Sequence, residues 1–120
     1  MSAGNYDFEC EQGATFKHTI TYKDSNDAAI DLTGYSARMD VRYARSKNSD
    51  AVIQLNTSNS RCVISDATNG KIKLNIASND TDDLTPGEYW YDLEILNSST
   101  PPVVERVLEG KFIVDPEVTG

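Results

Sequence analysis

Apolar and polar residues alternate with a period of two along most of this chain. The longest run follows Pro86-Gly87. Tyr89, Tyr91, Leu93 and Ile95 fall on one side, and Trp90, Asp92 and Glu94 on the other. That period belongs to a β-strand with one face buried and one face wet. The run carries the only Trp and is expected to form a central strand.

The same pattern recurs from the start. Tyr6, Phe8 and Cys10 alternate before Gln12-Gly13 breaks the run. Ala14, Phe16, His18, Ile20 and Tyr22 then share a side against Thr15, Lys17, Thr19, Thr21 and Lys23. Asp24-Ser25-Asn26-Asp27 reads as a turn, because Asx side chains bond their own backbone. Ala29 to Leu32 is a short extended piece, ended where Gly34 supplies a positive φ. Tyr35, Ala37, Met39, Val41 and Tyr43 form the apolar side of the next strand, opposite Ser36, Arg38, Asp40 and Arg42. A polar loop over 44–50 follows. Ile53 and Leu55 mark a brief inward-facing strand, and Cys62-Val63-Ile64 marks another. Asn69-Gly70 signals a two-residue hairpin leading into Ile72, Leu74 and Ile76.

Ser78 to Leu84 is the only helical stretch, a single turn. Ser78 or Asn79 is expected to cap it, with Asp80, Asp82 and Asp83 favouring its positive end. Asn97 to Pro102 is a turn. In the final run, Leu108, Gly110, Phe112 and Val114 share one side, and Val107, Glu109, Lys111 and Ile113 the other. About eight strands separated by short turn signals predict an all-β fold, two antiparallel sheets packed as a sandwich. A closed barrel is the second architecture. One domain over residues 1–120 is expected, since a chain of this size can bury a single core.

Composition narrows the function classes. Hydrophobic residues make up 38% and charged residues 25%, a globular balance. No apolar run approaches the ~20 residues of a membrane span. The first residues lack the basic flank and apolar core of a secretory leader, so synthesis in the cytoplasm is expected. The net charge of −8 disfavours nucleic acid as a partner, since that partner needs clustered Lys and Arg. Solubility is its first consequence, and a basic protein partner is the functional alternative. Cys10 and Cys62 are expected to be buried thiols in that compartment, although a sandwich can place two such positions in disulfide reach. One His and no CxxC leave no common zinc site.

Chemistry-bearing groups are sparse. His18 sits within a strand alternation, and no nucleophile motif accompanies it. Asp80, Asp82 and Asp83 lack the spacing of a calcium loop. No catalytic, metal or cofactor site is therefore assigned. Two surface groups remain. Trp90 with Asp92 and Glu94 suits a protein interface, where Trp is enriched, a sugar-binding platform, or simple packing beneath a loop. Arg38, Arg42, Arg45 and Lys47 lie on one strand face and the loop that follows. They form the only local concentration of positive charge, and could meet the acidic surface of another copy.

Four phrases, in this order, carry a resemblance. They are Gln12-Gly13-Ala14-Thr15-Phe16, the run from Ile30 to Met39, the run from Leu84 to Glu94, and the run from Glu109 to Val114. Together they resemble small immunoglobulin-like domains of tailed-phage structural proteins, such as the N-terminal domain of baseplate upper proteins. The resemblance spans nearly the whole chain. It implies an immunoglobulin-like sandwich, a non-enzymatic module of the virion tail or baseplate, and other virion proteins or further copies as partners. It supplies no catalytic residues. A carbohydrate-binding module for adhesion to a host surface is the alternative.

Overall fold

The computed structural model describes residues 4–119. Residues 1–3, where the reading for a leader begins, and residue 120 lie outside that range. Nine strands and one helical turn run in the order β1 Gly4–Asn5, β2 Phe8–Glu11, β3 Phe16–Thr21, β4 Ser36–Arg42, β5 Ala51–Asn56, β6 Cys62–Asp66, β7 Lys71–Ile76, α1 Ser78–Asp82, β8 Gly87–Leu96 and β9 Val104–Asp115. They form two sheets. The larger has the order β1-β9-β8-β4-β5, with β2 also on β9, and the smaller has the order β3-β7-β6. Every pairing is antiparallel except those of β1 and β2 with β9. The all-β, two-sheet arrangement predicted from alternation is the one observed.

One core joins the inner faces of both sheets. Phe8, Met39, Val41, Leu55, Leu93, Ile95 and Phe112 come from the larger sheet, and Phe16, Cys62, Ile72, Leu74 and Ile76 from the smaller. The strand after Pro86-Gly87 is central, between β9 and β4. Tyr89, Tyr91, Leu93 and Ile95 are buried, and their neighbours are partly exposed. The cysteines are buried free thiols on different sheets. Burial pushes the Cys62 thiol up to about 12. Burial, with Asp115 and Glu11 nearby, pushes Cys10 up to about 11.

Several local expectations change. Val107 is buried although strict alternation turned it outward. Leu93 pairs with Leu108 and Glu94 with Arg106, so Val107 is the extra residue of a β-bulge, which resets the facing of the strand. Tyr43 is 61% exposed, because β4 ends at Arg42 after its own register shift. Asn69-Gly70 does not form a two-residue hairpin. Asp66 pairs with Lys71, leaving a four-residue loop in which Gly70 adopts φ 65°. Neither Ser78 nor Asn79 caps α1. The N-cap is Ala77, with no side-chain cap bond.

Tertiary contacts hold α1 instead. The buried Thr81 hydroxyl lies 2.8 Å from the carbonyl of Ala14 and 3.0 Å from that of Ser78, sharing its one proton between them. Gln12 donates to the Leu84 carbonyl at 3.0 Å and accepts from the Glu117 amide at 3.0 Å. The break at Gln12-Gly13 is thus a clasp joining three segments. The Asp24 turn behaves as expected, its carboxylate accepting from the amides of Asn26 and Ala28, and Gly34 has φ 84°.

Candidate functional site

The outer face of the larger sheet gathers the singled-out surface residues. Three rows cross β4, β8 and β9 in register. They are Arg38–Glu94–Arg106, Asp40–Asp92–Glu109 and Arg42–Trp90–Lys111. Directly opposed side chains on one sheet face are close enough to interact. The result is a mixed-charge lattice with one large aromatic ring.

The expected positive patch is internally neutralised. Arg38 pairs with Glu94 at 3.0 Å, Arg42 with Asp40 at 2.7 Å, and Arg45 with Glu109 at 2.7 Å. Arg42 also donates to the Ser49 carbonyl, which ties the 44–50 loop to the sheet. Lys47 is exposed in that loop and enters no ion pair among the described residues. Trp90 is half-buried. The Arg45 guanidinium lies 5.9 Å from its ring centroid and the Lys111 ammonium 5.6 Å. Both distances are within cation–π range. Lys111 in turn pairs with Glu88 at 3.2 Å.

Asp92 occupies the centre of the lattice. Partial burial, with Glu94 close by, pushes its carboxyl above the usual carboxylate range. Arg106, 3.3 Å away, opposes that shift without cancelling it. Asp40 and Glu109, its register partners, add further repulsion. Three carboxylates in a row are tolerable because Arg42, Arg45 and Arg106 reach them from the flanking rows and loop.

Arg106, Glu109, Lys111 and Asp40 also belong to this face. Alternation turned Glu109 and Lys111 outward. Their position beside Trp90 depends on the β8–β9 register and on the bulge at Val107, which no local pattern encodes. His18 lies apart from the lattice among the rings of Phe8, Tyr6 and Phe16, at 4.9, 5.6 and 6.5 Å, as a packed strand histidine. Asp80 is drawn to Arg61 at 3.0 Å, while Asp82 and Asp83 are exposed. The face presents matched charge pairs around one half-buried aromatic ring.

No protein-family model and no curated protein matches the sequence. Among solved structures the chain is similar to the N-terminal domain of phage TP901-1 ORF48, at 13% identity and a TM-score of 0.54, over 95% of this chain and 90% of that one. At that identity the likeness is one of fold.

Proposed function

We propose that this chain is a non-enzymatic structural component of a phage virion, in tail or baseplate, docking to other virion proteins as one immunoglobulin-like domain. The likeness to a phage protein domain, over nearly the whole of both chains, carries the reading. Two features support the immunoglobulin-like assignment. The strand order β9-β8-β4-β5 faces β3-β7-β6. The Tyr89 hydroxyl donates to the Thr85 carbonyl just upstream, a corner lock of such sandwiches.

Trp90 is the docking anchor in this reading. Trp and Arg dominate the binding energy of protein interfaces. Arg42 is the register partner of Trp90 and Arg45 lies over its ring, with Asp92 in the next row and Arg38 and Glu94 in the row beyond. Arg45 and Lys111 lie over the Trp90 ring and would have to move for a protein partner or a sugar alike. A sugar platform is the weaker reading because the likeness that carries the proposal is to a phage protein domain. Electron microscopy of intact particles carrying a tagged copy tests the proposal. The tag is expected at the tail or baseplate, and Trp90→Ala is expected to lower incorporation about tenfold or more. Particles without the tag would overturn the virion reading. Glycan binding abolished by Trp90→Ala would replace docking with adhesion.

A further inference from the structure

A second surface lies at the opposite edge of the molecule from β5 and β6. There the free edges of β2 and β3 border an open groove of about 560 Å³. Its floor includes the rings of Tyr6, Phe8, Phe16 and His18, of which Phe8 and Phe16 are buried. These rings pack on one another at 4.9 to 6.5 Å, and Tyr6 stays 47% exposed.

Among the described residues, both bordering edges have unpaired backbone. Tyr6 and Gln12 donate their amides to Glu109 and Asp115. Even-numbered residues of that stretch therefore face β9, and Asp7 and Glu9 turn their backbone groups outward. On the other side, Asn75 donates to Arg61, away from β3. Its partner Lys17, and likewise Thr19 opposite Lys73, turn their amides and carbonyls to the open edge. β3 is six residues long, enough to template another strand.

Charge selects what can add there. Asp7, Glu9 and Glu11 line the groove against one cation, Lys17. None of the three enters an ion pair among the described residues, and Asp7 accepts a hydrogen bond from the Lys111 amide. On the Trp90 face, by contrast, the carboxylates are matched by Arg and Lys. Charged residues on edges guard against indiscriminate strand addition, and an acidic guard excludes acidic strands while attracting basic ones. A two-fold contact with a second copy would bring the same three carboxylates against themselves.

From this geometry we propose that the groove takes an extended basic segment of a partner protein, added as a strand along β3. Its apolar side chains cover the exposed Tyr6 and the partly exposed His18, and its Lys or Arg residues meet Asp7, Glu9 and Glu11. The main chain supplies affinity and the acidic rim supplies sign selectivity. The proposal stands independently of the virion assignment.

The test uses the whole chain and an acetylated Lys-Val-Lys-Val-Lys-Val-Lys amide, followed by amide NMR and hydrogen exchange. The peptide is expected to slow exchange at Lys17 and Thr19. A Glu-for-Lys peptide and an N-methylated version that cannot complete the ladder are expected to leave them unchanged. Glu9→Lys with Glu11→Lys is expected to weaken binding about tenfold or more through the two reversed charges, with melting temperature and circular dichroism unaltered. Three results would overturn the proposal. They are unchanged exchange at Lys17 and Thr19, equal binding by the Glu peptide, and a peptide-free dimer that protects this edge.

Discussion

Leu93→Ala tests whether the strand after Pro86-Gly87 carries the core. Leu93 is fully buried at mid-strand, with Met39 on one side and Leu108 on the other. The substitution removes three carbons, worth about 2.4 kcal/mol at ~0.8 kcal/mol per buried methylene. A residual cavity adds to that. Met39 is a flexible side chain able to fill part of it, so the total should be about 3–4 kcal/mol, inside the range for buried Leu→Ala. Leu96→Ala is the internal control. Leu96 lies on the same strand with the opposite parity and is only partly buried. It should cost less than about 1 kcal/mol. Urea unfolding followed by the fluorescence of Trp90 measures both, with an unchanged m-value as the sign that two-state behaviour persists. A Leu93→Ala loss below about 1 kcal/mol, or equal losses at the two positions, would refute the assignment of faces.

Other outcomes follow from single sites. Gly70→Ala should lower stability by more than about 1 kcal/mol in thermal melts, because φ is 65° and a Cβ would meet the Tyr22 and Ile30 carbonyl oxygens at 2.6 and 2.7 Å. Ellman's reagent at pH 8 should label neither Cys10 nor Cys62 until urea unfolds the chain, and immediate labelling would contradict their burial. Both thiols titrate higher in the fold, at about 11 and 12 against an unfolded value near 9. Their contribution is therefore fully present below pH 9 and lost as pH rises through the folded values, a loss that Cys62→Val should reduce in pH-dependent unfolding. Asp92 is also raised, so its protonated form is favoured by folding and its charge weakens the fold as pH rises. Asp92→Asn should thus stabilise at pH 7 relative to pH 3; a constant difference across that range would refute the shift.

Alternation alone determined the fold class, most strand positions and the inner residues of β4, β5, β7 and β8. The reason is local: side chains on a pleated strand alternate sides, so burial of one face is written into a period of two. The separation of Trp90, Asp92 and Glu94 from Tyr91 and Leu93 was legible for the same reason. Turn chemistry at Asp24 and Gly34 was equally local.

Tertiary structure decided what two segments do to each other. The β8–β9 register put Lys111 beside Trp90. The bulge at Val107 turned that residue inward. Ion pairs with Glu94, Asp40 and Glu109 turned an apparent patch of Arg38, Arg42 and Arg45 into a neutral lattice. Pairing of β1 and β2 with β9, rather than β3, opened the groove at the sheet edges. Charge counted along a sequence has no partner. Its partner is assigned only when strands far apart in the chain are brought side by side.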